Sequence, residues 1–338
     1  MTNGQRRHTG SHDSTCESPA LAAWAGELFA CPNCVQRLEV RTPTTSQPSG
    51  FYCKSCGATY PVQRGILAFE TGEEYAASFG RQWTRYEVIR PEEDLEVFKT
   101  KTGVDPEELG GLTVLDAGCG SGRYSRVVAE HGARVVGVDK SRAVEKAAAV
   151  CRAYPDVVFA RADLLALPFL DATFDFVFSI GVIHHTSAPR LAFGQLARVV
   201  KPGGRLAVWV YRRNTWMQER INQALRGVTV RMDPQQLEQL CWALAVVGGI
   251  PVVRRTLNKL VNFSSHPDFE LRVCDNFDWY ACRYQFHYTE EDLLGWFREE
   301  GFSELRLLKP QKSGPFYDWA YRHNLLIGSG VNVIGRKD

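Results

Sequence analysis

Short apolar runs alternate with helix-like stretches from residue 112 onward. Residues 123–131, and the stretch from Ser141 toward Tyr154, have the composition of helices. The apolar runs predict five strands, at Leu112–Asp116, Arg134–Asp139, Val157–Ala160, Phe174–Ser179 and Arg205–Tyr211. Short apolar strands separated by helices are typical of a parallel sheet covered by helices on both faces. The pattern therefore predicts an α/β domain over residues 112–338.

The chain before residue 112 has a different pattern and divides into three segments. Residues 1–20 are polar and predict a flexible tail without the apolar core of a secretory signal. Residues 21–69 form a small module rich in cysteines and turn residues. Residues 70–111 are charged and predict a helical connector. Its expected anchors on the next domain are Trp83, Tyr86 and Phe98.

Four of the ten cysteines form two closely spaced pairs. These are Cys31-Pro-Asn-Cys34 and Cys53-Lys-Ser-Cys56, with eighteen residues between them. Two residues between thiolates let one turn present both sulfurs to a single ion, and four thiolates complete a tetrahedron around zinc. A redox motif normally occurs singly at a helix N-terminus, which favours the metal interpretation. Four thiolates leave no open coordination position, so we predict a structural zinc ribbon.

Composition narrows the function classes. With 44% hydrophobic and 23% charged residues among 338, the chain is neither disordered nor fibrous. A net charge of +2 is too small to indicate nucleic-acid binding by bulk attraction. The 14-residue apolar run Leu240–Val253 is shorter than the ~20 residues of a membrane span. Six further cysteines are scattered, as expected of free thiols in a reducing cytosol, so we expect a cytoplasmic protein.

A glycine-rich loop follows the first strand of the α/β domain. It reads Asp116-Ala-Gly-Cys-Gly-Ser-Gly122 and precedes a predicted helix, a position where glycines let the backbone approach a ligand closely. A dinucleotide-binding loop would have glycine at Arg123, and the Gly-Lys-Ser/Thr ending of a phosphate-binding loop is absent. The loop therefore does not indicate a dedicated phosphate site.

Two acidic residues extend this pattern. Asp139 ends the second strand, 21 residues after Gly118, where a carboxylate can accept both hydroxyls of a ribose. Asp163 and Leu164 follow the third strand, where an acid and an apolar side chain could hold an adenine. The predicted ligand is adenosine-like.

These motifs resemble those of class I S-adenosyl-methionine-dependent methyltransferases. The resemblance covers residues 112–211 and resumes at 288–302, and it includes Lys201-Pro-Gly-Gly-Arg-Leu206 before the fifth strand. It implies a Rossmann-like seven-stranded sheet with helices on both faces, and a helical lid formed by the insertion at residues 212–287. The donor-binding residues that it implies are Asp116, Gly118, Gly120, Gly122, Asp139, Lys140, Asp163 and Leu164.

The cysteine module also resembles a known family. Cys-Pro-x-Cys, then Cys-x-x-Cys-Gly, then Tyr60-Pro-Val and Gly65-Ile-Leu are similar to the small zinc-binding activator proteins of tRNA and protein methyltransferases. The resemblance implies that such a module is fused in cis, with Cys31, Cys34, Cys53 and Cys56 as metal ligands.

Candidate catalytic residues lie where the fourth strand ends and where the insertion ends. Strand C-termini form the site in open α/β sheets, and the fourth strand runs into His184 and His185, of which one could act as a base or both could be structural. The segment Asp275–Tyr288 resembles one in bacterial methyltransferases of glycan and natural-product clusters, in which an Asp, a Tyr and a His recur. It adds Asp278 and His287 as catalytic candidates, and Tyr284 as a substrate contact. Tyr211, just past the fifth strand, is another candidate substrate contact.

Three functions remain open at this point. The leading hypothesis is methyl transfer to a hydroxyl or amino group of a small metabolite, such as a sugar or a secondary metabolite. The second is RNA methylation, with the ribbon and the basic insertion as the RNA path. A third is a non-catalytic binding module. The basic residues of the first part of the insertion, residues 212–262, are Arg212, Arg213, Arg220, Arg226, Arg231, Arg254, Arg255 and Lys259.

Overall fold

The computed structural model describes residues 23–41, 49–69, 89–257, 260–308, 319 and 330–338. The flexible tail predicted at residues 1–20, and Trp83 and Tyr86 of the connector, lie outside the described residues. Among the described residues, no helix is long and apolar enough to cross a bilayer.

The cysteine module is a small antiparallel meander. Its elements are helix α1 (Ala23–Gly26) and strands β1 (Glu39–Arg41), β2 (Gly50–Tyr52), β3 (Thr59–Gln63) and β4 (Ile66–Ala68). Each strand pairs antiparallel with the next one along the chain.

The rest of the described chain alternates strands and helices. The strands are β5 (Thr113–Ala117), β6 (Arg134–Asp139), β7 (Val157–Arg161), β8 (Phe174–Ile180), β9 (Val200–Tyr211), β10 (Phe302–Leu308) and β11 (Gly330–Lys337). The helices outside the insertion are α2 (Pro91–Thr102), α3 (Arg123–Glu130), α4 (Ala143–Val150), α5 (Pro189–Val199) and α10 (Glu290–Glu299). The helices of the insertion are α6 (Trp216–Thr229), α7 (Pro234–Gly248), α8 (Pro251–Leu257) and α9 (Phe269–Ala281).

The strands of the described residues form one sheet with the order β1-β2-β3-β4-β7-β6-β5-β8-β9-β11-β10. The α/β prediction is confirmed, and strands β5 to β11 supply the seven expected. In the described part of the chain the sheet is larger than predicted, with eleven strands, because the four strands of the cysteine module join it. β4 pairs in parallel with β7, so the module covers a sheet edge that would otherwise expose unpaired backbone groups.

Helices cover both faces of the sheet because alternate residues of each buried strand enter opposite cores. Leu115 of β5 packs in a core with α5, α10 and the cysteine module. Its neighbour Val114 packs in a second core with α2 and α3. Phe98 of α2 is fully buried there, with its ring edge-on to Phe178 at 5.3 Å. The insertion has its own small core, formed mainly where α7 packs against α9.

Candidate active site

The glycine-rich loop turns sharply at the end of β5. Gly118 has φ of +89°, and a Cβ atom there would lie 2.3 Å from the Val182 side chain. The amide groups of Gly118 and Cys119 both donate to the Val138 carbonyl, at 2.7 and 3.0 Å. Only glycine fits this conformation and this space. The loop backbone is therefore fixed against the ends of β6 and β8.

Asp139 holds the glycine-rich loop in place. Its Oδ2 accepts from the Gly120 amide at 2.9 Å. Its Oδ1 accepts from the amide and the hydroxyl of Ser141, at 2.8 and 2.7 Å. Burial raises the pKa of this carboxyl, while these hydrogen bonds favour its charged form. Asp139 thus joins the loop to the turn after β6.

A cavity of about 340 Å³ lies at the carboxyl ends of β5, β6, β7 and β8. Most of the predicted donor-binding residues line it. They are Gly118, Gly120, Asp139, Lys140, Asp163 and Leu164. Two predicted residues lie behind this surface. Asp116 is buried and accepts from the Ser125 hydroxyl at 2.6 Å. Gly122 lies at the start of α3 and packs against Ala147 of α4.

The far wall of the cavity brings together residues distant in the chain. His185, Asp278 and Tyr284 line it. The Tyr211 hydroxyl donates to Asp278 Oδ2 at 2.5 Å, and His185 Nε2 lies 3.4 Å from the same oxygen. His185 Nδ1 lies 3.0 Å from the Tyr284 carbonyl oxygen. Burial alone would raise the pKa of Asp278, but the nearby His185 and Tyr211 outweigh it and lower that pKa.

The other two predicted catalytic histidines lie outside this wall. His184 is fully buried against the Tyr211 ring, with centroids 4.1 Å apart. Within the part of the chain that the structure describes, neither of its ring nitrogens has a hydrogen-bond partner. Burial lowers its pKa well below the usual value, so the ring is neutral. His287 binds Glu219 through Nδ1 at 2.6 Å and lines a second cavity.

A family model for a methyltransferase domain matches residues 115–208. Residues 115–208 form a methyltransferase domain. The match runs from the middle of β5 through most of β9 and includes the glycine-rich loop, Asp139, Asp163 and both adjacent histidines.

Curated relatives of this methyltransferase domain have different names. The chain is 32% identical to O-methyltransferase resE of Aspergillus sclerotiorum over 126 residues, which are 35% of this chain and 48% of the relative. It is 35% identical to the "Probable tRNA methyltransferase 9B" of Bos taurus over 127 residues, 35% of this chain and 24% of the relative. The chain thus spans about half the length, or less, of these relatives.

Among solved structures, the fold is similar to a complex of the Haloferax volcanii Trm112 methyltransferase activator with a second protein. The identity is 17% and the TM-score is 0.44, with 79% of this chain and 97% of that chain covered.

The sequence did not single out several residues that line the cavity of the methyltransferase domain. Arg123 and Tyr124 begin α3, and Arg283 follows α9. Arg123 donates to the fully buried Asp94 of α2, with Nε 2.8 Å from Oδ1. The position of Arg123 directly after the glycine-rich loop could have indicated from the sequence that it lines the cavity. Arg283 is adjacent to Tyr284, but its role depends on how the insertion folds back over the cavity.

The four paired cysteines converge beside the methyltransferase domain. Their sulfur atoms all lie within 4.8 Å of one another. Sγ of Cys31 is 3.5 Å from that of Cys56, and Sγ of Cys34 is 3.4 Å from that of Cys53. Four ligands at ~2.3 Å from a tetrahedral zinc ion have sulfurs ~3.8 Å apart. The donor set and its spacing therefore fit one zinc ion.

Each cysteine pair lies on a tight turn. The amide of Val35 donates to the Cys31 carbonyl at 2.8 Å, and the amide of Gly57 donates to the Cys53 carbonyl at 2.9 Å. Gly57 has φ of +75°, whereas Val35 takes φ of +56° with a branched side chain. The two turns are therefore built alike, although only one has a glycine.

The cysteine module contacts the methyltransferase domain next to the cavity. The Phe29 ring lies 5.2 Å from that of Phe169, and the Ala30 amide donates to the Pro168 carbonyl at 2.8 Å. β4 pairs with β7, the strand that leads directly to Asp163. The module therefore supports the segment that forms one wall of the cavity.

We predict that Asp116→Asn makes protein stability less dependent on pH. Burial raises the pKa of Asp116 to about 7, and the Ser125 hydrogen bond opposes it only partly. The folded pKa exceeds the unfolded value, so the proton on Asp116 stabilises the folded protein. This contribution to the free energy of unfolding is complete below about pH 4 and is lost as pH rises through 7. Between pH 5 and 7 the wild type should lose about 1.4 kcal/mol per pH unit relative to the variant. Urea unfolding at several pH values measures this.

The control for this experiment is Asp156→Asn, which changes an exposed acid in the turn before β7. It should keep the pH profile of the wild type. Equal slopes for Asp116→Asn and the wild type would contradict the assignment of a protonated Asp116.

Proposed function

We propose that this protein transfers a methyl group from S-adenosyl-methionine to a hydroxyl or amino group of a small molecule. The observation that supports it most is that His185 and Asp278 line the same cavity as the glycine-rich loop and Asp139. A base and a donor site thus share one enclosed space at the carboxyl ends of the strands, where open α/β sheets bind ligands.

The cavity lined by the glycine-rich loop and Asp139, called the donor cavity from here on, has the chemistry that the adenosine part of S-adenosyl-methionine requires. Asp139 offers carboxylate oxygens for the ribose hydroxyls, and the Leu164 side chain offers an apolar surface for the adenine. Asp163 is next to it, in an ion pair with Lys140 at 2.5 Å. Gly118 lets the loop backbone lie directly against the Val182 side chain, and no side chain projects from this position. When bound, S-adenosyl-methionine would supply the electrophilic methyl group.

We assign His185 the role of general base. The bond to the Tyr284 carbonyl requires a proton on Nδ1, so Nε2 is the nitrogen that accepts the proton of the attacking group. Asp278, kept ionised by its neighbours, stabilises the imidazolium that forms. The Tyr211 hydroxyl fixes the Asp278 carboxylate. This arrangement provides a proton acceptor and its orienting group.

We assign the cysteine cluster a structural zinc ion. Four thiolates fill a tetrahedral site and leave no position for a substrate. The ribbon buries little apolar surface of its own, so metal binding would supply much of its folding free energy.

The insertion favours a small molecule over RNA. Arg212 pairs with Glu290 at 3.1 Å, and Arg213 pairs with Asp292 at 3.2 Å. Arg226 is buried and donates to backbone carbonyls of the insertion. These three arginines are engaged within the protein and so contribute less to an open basic surface, which is what an RNA path requires.

The test uses S-adenosyl-methionine labelled in its methyl group, incubated with the protein and extract from the source cells. We expect label in the small-molecule fraction with the wild type. His185→Gln should incorporate at least about 100-fold less, within the range of general-base catalysis, yet bind S-adenosyl-methionine as tightly. Label in nuclease-sensitive material would support the RNA hypothesis instead. Full incorporation by His185→Gln would contradict the assignment of the base.

A further inference from the structure

A second cavity lies on the other side of Tyr211 from the donor cavity. Its volume is about 410 Å³. Residues of α2, the end of β9 and the insertion line it, among them Lys101, Trp209 and Asp275. Asp275 and Asp278 are one turn apart on α9, and the first faces this cavity while the second lines the donor cavity. Tyr211, which lines this cavity, donates to Asp278 of the donor cavity, so the two cavities are neighbours.

Lys101 is the distinctive residue of this cavity. Its Nζ lies 3.5 Å from the centroid of the Trp209 ring, so the ammonium rests on an aromatic face. In the described ranges of the chain, no carboxylate oxygen lies within ion-pair distance of it. Burial lowers its pKa to about 7, which reflects how weakly its charge is compensated. A cation in such a place binds an anion favourably.

The other polar groups of the cavity also favour an anion. Asn262 accepts from the Gln218 amide through its oxygen at 2.8 Å, so its remaining polar group is a donor. Asp275, the acid in this lining, accepts from the Ser264 hydroxyl at 2.6 Å. Burial raises the pKa of Asp275, which opposes its ionisation. Arg212 lines the cavity as a further donor, beside its partner Glu290.

We propose that this cavity binds a carboxylate or phosphate group of the methyl acceptor, with Lys101 as its counter-ion. The anionic group would anchor the acceptor beside Tyr211, while the reacting group extends to His185. The identity of the ligand as methyl acceptor rests on the proposed function. The binding of an anion at Lys101 does not, and it is tested separately.

The test titrates the full-length protein with inorganic phosphate and, separately, with acetate, using ligand-observed NMR at low ionic strength. We expect saturable binding of at least one of the two anions. Lys101→Met should weaken it at least tenfold, because the charge is lost while the stem still covers Trp209. Lys99→Met is the matched control, since Lys99 lies on the same helix and pairs with Asp105. It should bind like the wild type.

S-adenosyl-methionine affinity is measured in the same samples. It should be equal in the wild type and both variants, which shows that the variants are folded. If the wild type does not bind S-adenosyl-methionine, the proposed function is contradicted. The anion titration still tests binding at Lys101 independently. If Lys101→Met does not fold, Lys101→Arg and Lys101→Gln replace it, and only the arginine variant should retain binding. No saturable anion binding, or equal binding without the Lys101 charge, would overturn the proposal.

Discussion

Replacing Asp139 with alanine should lower the affinity for S-adenosyl-methionine by at least about 100-fold while the protein stays folded. A hydrogen bond to a charged acceptor contributes about 1.5–3 kcal/mol, and in the proposed donor site the carboxylate would accept from the ribose hydroxyls. The variant also loses the bond from the Gly120 amide that fixes the glycine-rich loop. Both effects weaken the same site. Isothermal titration calorimetry measures the affinity directly.

Two further variants separate these effects. Asp139→Asn keeps the shape and one acceptor oxygen, so it should bind with intermediate affinity. Asp156→Ala removes an exposed acid from the turn before β7 and should bind like the wild type. Wild-type affinity in a folded Asp139→Ala protein would show that this carboxylate does not contact the donor.

Replacing Cys31 with serine should remove the zinc ion and destabilise the whole protein. Structural zinc contributes about 10–16 kcal/mol of apparent binding free energy in isolated zinc-finger peptides. Cys31 is buried at the core of the ribbon, where Phe29 packs against Phe169 of the methyltransferase domain. Since each lost kcal/mol lowers Tm by ~2–4 °C in domains of 150–250 residues, the expected drop exceeds ~10 °C.

Metal analysis and thermal unfolding test this prediction together. The wild type should contain about one zinc ion per chain. Cys241→Ala removes a buried cysteine of α7 that is remote from the cluster, so its zinc content should equal that of the wild type. Absence of zinc from the wild type, or equal zinc content in Cys31→Ser, would refute the zinc assignment.

The local part of the fold could be predicted because each strand is marked by its own apolar run. β6 has the bounds Arg134–Asp139 that the pattern indicates. β9 begins earlier than expected, at Val200 instead of Arg205. Its register against β8 moves from Val200 opposite Phe174 to Arg205 opposite Phe176, so the segment between them is a bulge without ladder partners. Gly203 has φ of +77°, so the turn that the composition indicates is kept within the strand.

The candidate site likewise has one part that could be predicted from the sequence and one part that could not. The glycine-rich loop and Asp139 are close in sequence and could be recognised from spacing alone. The choice between His184 and His185 could not, because it depends on Asp278 and Tyr211, which reach His185 only when α9 folds back over β9. Lys101 gave no signal, since a lysine in a charged helix is normally exposed. Its position over Trp209 depends on how α2 packs against the end of β9.

The cysteine ribbon and the methyltransferase domain belong to one chain and share one sheet through β4 and β7, which sets their stoichiometry at one to one. A ribbon on a separate chain would dissociate on dilution, and several methyltransferases could compete for it. Within one chain, the association is intramolecular, with an effective concentration on the order of millimolar or higher. Every copy of this methyltransferase domain is thus made with its own ribbon, at any concentration of the protein.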